Sequence, residues 1–168
     1  MLRKLYVLPV LALFLLPAIA RAQYEQGNWD LNLTGSGQTA DPSFRGSTTS
    51  VTAGLGYLLT KELEVEVRQG INYTQVFKGG HAWGASTVGA LDYHFDMDRL
   101  QPFVGVNGGY VYGDPSPDAW VGGPEAGIKW FANSSTYIYA QAAYEFNLQE
   151  RISNGNWVYS AGIGFTWK

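Results

Sequence analysis

A five-residue pattern that occurs four times limits the folds available to this chain. Each copy starts with a small residue, carries an aliphatic residue in its centre and ends with an aromatic residue. The copies are residues 53–57, 89–93, 126–130 and 161–165, and their aromatic ends are 36, 37 and 35 residues apart. A regular period of this size indicates that one supersecondary unit is used repeatedly.

The repeated unit is predicted to be a β-hairpin. Glycine recurs within the pattern and no stretch of 3.6-residue periodicity surrounds it, which argues against a helical repeat. Four hairpins make eight strands, the even number that single-chain bacterial barrels use. We expect partner strands near residues 28–37, 63–74, 102–113 and 136–147, and pattern strands near 47–59, 82–95, 120–131 and 156–167.

The connections between these strands alternate in length. Those after a pattern strand are short, at 60–62, 96–99 and 133–135. Those before a pattern strand are longer and rich in turn-forming residues, at 38–46, 75–80, 114–118 and 148–155. Short periplasmic turns and longer extracellular loops are typical of outer-membrane barrels. Both ends of the mature chain are then expected in the periplasm.

Residues 1–22 are predicted to be a cleaved signal peptide, which leaves 23–168 as the barrel domain. Arg3 and Lys4 precede an apolar run over 5–16, and Ala20-Arg21-Ala22 offers a small-x-small cleavage site, with 18–20 as an alternative. A membrane anchor is the competing interpretation. Twelve residues make about 18 Å of helix, which is too short for a hydrocarbon core about 30 Å thick.

Composition excludes several classes of protein. The chain has no cysteine, so a disulfide scaffold and a thiolate metal site are both excluded. Without residues 1–22 it has eight basic and fourteen acidic residues, a net charge of −6 with no basic cluster. We therefore expect no nucleic-acid partner. Charged residues make up only 15% of the chain and aromatic residues another 15%, which is unlike a water-soluble surface.

A period of two assigns the faces of the strands. Leu55, Leu91, Ile128 and Ile163 lie on an apolar face, while the other face carries Gly54, Gly56, Asp92, Lys129, Gly162 and Gly164. The fifth strand is ambiguous, and we place Val104 and Val106 outward with Asn107 inward. Alternation alone does not exclude a secreted, lipocalin-like barrel with its apolar face inside.

Aromatic residues at the strand ends favour lipid on the outside. One rim carries Trp29, Tyr57, Tyr93, Trp130, Phe165 and Trp167, and the other Tyr73, Trp83, Tyr110, Trp120, Tyr144 and Trp157. Two such girdles are typical of membrane barrels. The last strand carries Ser160, Gly162, Phe165 and Trp167, which resemble the C-terminal signal by which outer-membrane barrels are recognised for assembly.

On this repeat, these girdles and this last strand, the mature chain resembles the small outer-membrane β-barrels that include the OmpA membrane domain, OmpX and OmpW. The resemblance implies an all-β, eight-stranded, antiparallel up-and-down transmembrane barrel in the cell outer membrane. It also implies contact with outer-membrane lipid and lipopolysaccharide, and with the barrel-assembly machinery during biogenesis. A monomer is expected, since a closed barrel leaves no free strand edge.

The inward face is predicted to form a polar plug rather than a channel, because long side chains fill an eight-stranded lumen. It carries Asp30, Glu64, Glu66, Arg68, Asp92, Glu125, Lys129, Gln141 and Glu145. We expect Gly54 and Gly56 to leave room for Glu66 and Arg68, and water to reach Glu64 and Asp92 at the periplasmic end. The resemblance to OmpA implies cross-lumen ion pairs made by Arg68 and Lys129.

We predict no catalytic, cofactor or metal site. Lipid A deacylases of the PagL type resemble this chain in size and use a His-x-Ser pair, but Arg151 stands two residues before Ser153 where the base is needed. The two histidines, His81 and His94, have no serine two residues further on. His94 and Asp92 are interpreted as a solvated rim pair rather than metal ligands.

Three functions compete at this stage. The first is a non-enzymatic barrel with a structural or surface-interaction role and a plugged lumen. The second, suggested by the OmpW resemblance, is a narrow conduit for small or apolar compounds. The third is a lipid A-modifying enzyme on the same scaffold.

Overall fold

The computed structural model describes residues 24–38, 48–76, 80–114, 118–149, 152 and 155–168. The predicted signal peptide and both cleavage sites lie outside the described residues. No helix among the residues described is long and apolar enough to cross a membrane.

Eight strands make up almost all of the described chain, and the prediction of four hairpins is confirmed. The strands are β1 (Trp29–Gln38), β2 (Thr48–Leu58), β3 (Leu63–Val76), β4 (Gly80–His94), β5 (Leu100–Gly113), β6 (Ala119–Phe131), β7 (Thr136–Asn147) and β8 (Asn156–Trp167). The loop predicted at 75–80 is shorter than expected, because Gln75 and Val76 still pair with His81 and Gly80.

The strands form one closed antiparallel barrel in chain order. It closes between β1 and β8, from Trp29 opposite Trp167 to Gly35 opposite Ala161. Residues 59–62, 95–99 and 132–135 connect strands at one end, which we call the turn end. We call the opposite end, where β1 leads to β2 and β7 to β8, the loop end.

The apolar face of the strands points outward. Leu55 is 46% exposed and Val67 59%, whereas Asp30 and Glu64 are fully buried in the lumen. In β5, Val104 and Val106 are exposed and the Asn107 amide donates a hydrogen bond to Glu125 inside the barrel, as predicted. This arrangement is the reverse of the lipocalin-like alternative.

Aromatic pairs lie across the strands at both ends of this apolar band. At the loop end the ring centroids are 4.9 Å apart for Tyr73 and Trp83, 5.2 Å for Tyr110 and Trp120, and 5.3 Å for Tyr144 and Trp157. At the turn end Trp29 contacts Tyr57, with centroids 5.0 Å apart. An apolar band between two aromatic girdles is the exterior of a transmembrane barrel.

One group of polar side chains interrupts the apolar exterior. The Thr87 hydroxyl donates to Gln69 Oε1 at 2.7 Å, and Gln69 Nε2 donates to the Tyr112 hydroxyl at 3.1 Å. All three residues are exposed on the outside. Because these groups bond to one another, they remain satisfied where water is scarce.

Candidate functional site

A buried ion-pair cluster crosses the lumen near the turn end. Lys129 Nζ, on β6, lies 2.9 Å from Glu64 Oε2 on β3 and 3.2 Å from Asp30 Oδ2 on β1. It also donates to the Tyr24 hydroxyl at 2.7 Å. We call these residues, together with His94 and Tyr137, the Lys129 cluster.

Neutral donors hold the two carboxylates of the Lys129 cluster in place. Tyr24 donates to Asp30 Oδ2, Tyr137 donates to Asp30 Oδ1, and His94 Nε2 lies 2.8 Å from Glu64 Oε2. Burial raises the pKa of Tyr24 well above its usual value; Lys129 opposes this shift, and Asp30 and Glu64 add to it. The Tyr24 hydroxyl therefore keeps its proton and remains a donor.

Aromatic side chains close the turn end over this cluster. Leu58, Phe103 and Phe131 are buried there, and the Tyr137 ring centroid lies 4.9 Å from Lys129 Nζ, within the range of a cation–π contact. Tyr24, from the segment before β1, packs edge-on against Phe131, with centroids 5.5 Å apart. The apolar closure keeps water away from the charges beneath it.

Two expectations about this end are therefore wrong. Glu64 and Asp92 are 0% and 2% exposed, so they are not reached by water at a rim. His94 is not a solvated partner of Asp92, since it is 1% exposed and pairs with Glu64. The physical reason is the same for both: Tyr24 and the inward aromatic residues cover the turn end.

A second cluster lies deeper in the lumen, around Arg68. Its guanidinium donates to both oxygens of Glu125, each at 2.8 Å, and through Nε to Glu66 at 2.9 Å. Asp92, the third carboxylate partner, accepts a further hydrogen bond at 3.2 Å. The two-bond pairing with Glu125 is the strong bidentate geometry of arginine and a carboxylate. We call these four residues the Arg68 cluster.

Amide side chains complete the Arg68 cluster. Asn32 Nδ2 donates to Glu66 Oε1, and Asn107 Nδ2 donates to Glu125 Oε2, each at 2.6 Å. The Tyr139 hydroxyl in turn donates to Asn32 Oδ1 at 3.1 Å. Two of the three carboxylates around this cation, Glu66 and Glu125, are thus supported by neutral donors, which reduces the cost of burying them.

Gly54 and Gly56 make room for carboxylates, as the sequence suggested, but not for the pair predicted. A Cβ on Gly54 would lie 1.9 Å from Glu66 Oε1, and one on Gly56 would lie 2.0 Å from Glu64 Oε1. Arg68 is directly opposite Gly54 along the ladder, yet its guanidinium extends across the lumen to Glu125. The two glycines therefore accommodate Glu66 and Glu64.

The structure divides the predicted lumen residues between three places. Glu64 and Lys129 lie in the Lys129 cluster, and Glu66, Arg68, Asp92 and Glu125 in the Arg68 cluster. Glu145 contacts neither cation and lines a cavity on the loop side. In the predicted assembly signal, Ser160 lines the same cavity, while Phe165 and Trp167 are exposed on the outside of β8.

Four residues that complete these clusters were not among the predicted lumen residues. Tyr137 and Tyr139 share the inward period-two positions of β7 with Gln141, so their spacing could have revealed them. The burial of His94 follows from its inward position two residues after Asp92. Tyr24 carries no such signal, because it precedes the first strand.

A cavity of about 310 Å³ lies between the Arg68 cluster and the loop end. Most of the residues that line it have polar side chains, and Arg68 and Tyr139 are among those nearest the clusters. The polar wall includes Thr34, Ser50, Thr52, Asn72, Ser86, Gln141 and Ser160.

The structure assembles no metal site among the residues it describes, since no three His, Cys, Asp or Glu side chains there are grouped to hold an ion. His81 stacks on Tyr73 at the loop end, with ring centroids 5.4 Å apart. Arg151 and Ser153, which resemble part of the deacylase motif, lie outside the described residues.

Solved small outer-membrane barrels are among the structures that match this architecture. The N-terminal β-barrel domain of Pseudomonas aeruginosa OprF matches with a TM-score of 0.58 and 18% identity over 84% of this chain and 98% of that chain. P. aeruginosa OprG matches with a TM-score of 0.55 and 15% identity over 88% and 99%. Neisserial surface protein A matches with a TM-score of 0.55 and 14% identity over 84% and 95%.

No protein-family model and no curated protein matches the sequence significantly. The resemblance therefore rests on architecture: the number of strands, their order, closure and an apolar exterior between aromatic girdles. The chain has the fold of the small eight-stranded outer-membrane β-barrels.

Proposed function

We propose that this protein is a non-enzymatic integral outer-membrane barrel with a closed lumen, and that it acts through its surface and its loop end. The observation that carries the proposal is the Lys129 cluster. It joins β1, β3, β4, β6 and β7 to the segment before β1 at one level of the lumen. Side chains from so many directions leave little space for a solute to pass.

The energetics of the cluster support a lasting closure. Breaking a buried ion pair by removing one partner costs about 3–5 kcal/mol. If opening requires a similar disruption, the open state is populated roughly 10²- to 10⁴-fold less than the closed one. The Arg68 cluster adds a second barrier further along the same axis.

Bilayer conductance tests the closed lumen. Residues 23–168 are refolded in detergent and added to a planar bilayer, and insertion is verified by heat-modifiable gel mobility and protease protection. We expect no regular conductance steps. Reproducible steps from inserted protein would overturn the proposal and favour the narrow conduit, for which the acidic lumen predicts a preference for cations.

Orientation in the membrane can be tested with single cysteines, because the natural chain has none. Asp114 lies at the loop end, and Lys61 lies in a connection at the turn end, so each is replaced by cysteine in a separate variant. If the turn end faces the periplasm, an impermeant maleimide labels D114C on intact cells and K61C only after the outer membrane is permeabilised. The reverse pattern would contradict this topology.

The absence of enzymatic activity is also a proposal, and lipid A composition tests it. We expect the mass spectrum of lipid A to be the same in cells with and without the protein. Loss of an acyl chain that depends on the protein would show instead that it modifies lipid A.

A further inference from the structure

The cavity on the loop side of the Arg68 cluster has the size and lining of a small-molecule site. Its volume of about 310 Å³ lies at the lower end of the range usual for ligand pockets. Hydroxyl and amide groups from six of the eight strands face it or border it, as the positions of Thr34, Thr52, Asn72, Ser86, Gln141 and Ser160 show. Such a wall suits a ligand with several polar groups.

The charge of the cavity is negative. Arg68 lies among the lining residues, but Glu66, Asp92 and Glu125 already more than compensate its charge. Glu145 lines the same cavity, and its carboxylate makes no hydrogen bond or salt bridge with any residue that the structure describes, although its backbone pairs with Asn156. A carboxylate in this position favours a ligand that brings a positive charge.

The hydroxyl and amide groups of the wall join the Glu145 carboxylate, as the positions of Ser50, Gln141 and Ser160 show. Together these groups suit a ligand that donates several hydrogen bonds.

We propose that this cavity binds a small hydroxylated organic cation. Its ammonium group pairs with the Glu145 carboxylate, and its hydroxyl groups bond to the serine and threonine side chains of the wall. This inference does not depend on whether the lumen conducts, since the site lies on the loop side of both ion-pair clusters.

Three sugars of similar size but different charge test the proposal: glucosamine, glucose and glucuronate. Binding of each to the refolded mature protein in detergent micelles is measured by calorimetry and by saturation-transfer NMR. We expect glucosamine to bind at least about tenfold more tightly than either glucose or glucuronate. No saturable binding of glucosamine, or tighter binding of glucuronate, would overturn the proposal.

Variants locate the binding. Glu145→Gln keeps the shape of the side chain, and we expect it to weaken glucosamine binding to the level of glucose. Glu25→Gln is the control, because Glu25 is an exposed carboxylate at the turn end, paired with Lys168. Ser50→Phe fills part of the cavity and should weaken both sugars. Equal glucosamine binding by E145Q and the unmodified protein would show that the site is elsewhere and overturn the assignment.

Discussion

Lys129 Nζ lies 2.9 Å from Glu64 Oε2, although 65 residues separate them in the chain and they stand on strands β6 and β3. Neither strand pairs with the other, so this contact crosses the lumen. The same ammonium also contacts Asp30 and Tyr24. One cation thus ties together elements that the β-ladders do not join directly.

Replacing Lys129 with methionine should strongly destabilise the barrel. Asp30 and Glu64 would remain buried without their cation, and breaking a buried pair in this way costs about 3–5 kcal/mol. Urea unfolding in lipid vesicles measures the change. Lys61→Met, in an exposed connection at the turn end, is the control and should change stability by no more than about 0.5 kcal/mol.

A double variant distinguishes the effect of the uncompensated charge from the effect of lost packing in the Lys129→Met variant. Adding Glu64→Gln to Lys129→Met removes one of the two uncompensated carboxylates. We expect the double variant to be more stable than Lys129→Met alone, so that the two changes are not additive. Additive losses would show that the Lys129–Glu64 contact contributes little.

The glycines opposite the carboxylates should not tolerate a methyl group. Gly54→Ala and Gly56→Ala each place a Cβ about where Glu66 Oε1 or Glu64 Oε1 now lies, and the carboxylates are held by their own partners. We expect losses of about 1–3 kcal/mol for each variant.

Gly35→Ala provides the matched control for these glycines, because no atom lies within 4 Å of its added Cβ. Its stability should change by no more than about 0.5 kcal/mol. Urea unfolding of the three variants makes the comparison. If all three behave alike, the losses reflect strand propensity rather than the packing of the lumen.

Removal of the Tyr24 hydroxyl should weaken the closure of the turn end. Tyr24→Phe leaves the ring against Phe131 but deletes the donor to Asp30 and the acceptor of Lys129. We expect a loss of about 1–3 kcal/mol. Tyr159→Phe, on the exposed outer face of β8, should leave the unfolding midpoint unchanged. An equal loss of stability in both variants would mean that the buried Tyr24 hydroxyl contributes no more than an exposed one.

The loss of stability caused by a charged side chain on the outer face should depend on the depth of that side chain in the membrane. Val67→Arg places a guanidinium on the apolar band of β3, where we expect a loss of about 2–4 kcal/mol. Leu59→Arg, at the turn end beyond Tyr57, should cost only about 0–1 kcal/mol. Unfolding from vesicles measures both. Similar small losses would contradict a lipid-facing position for Val67.

The hairpins, the strand count and the two faces of each strand could all be predicted from the order of the residues. These properties are local: a period of two places Leu55 and Leu91 on the opposite face from Glu64 and Asp92 before any pairing is known, and the aromatic residues at the strand ends indicate that the apolar face is outside. The ladder from Leu63 to Val76 then extends β3 and β4 beyond the predicted bounds, because cross-strand pairs such as Tyr73 and Trp83 continue it.

Which inward side chains contact one another could not be predicted in the same way, because these contacts depend on the closed barrel. A period of two places Arg68 and Lys129 in the lumen, but the closure and tilt of the barrel determine that Arg68 reaches Glu125 and that Lys129 reaches Glu64. Tyr24 contributes to the burial of His94 and of the Lys129–Glu64 pair, and its position before β1 has no repeating pattern. Side chains that contact one another across a closed lumen come from strands that are not neighbours. A local sequence period therefore cannot predict these contacts.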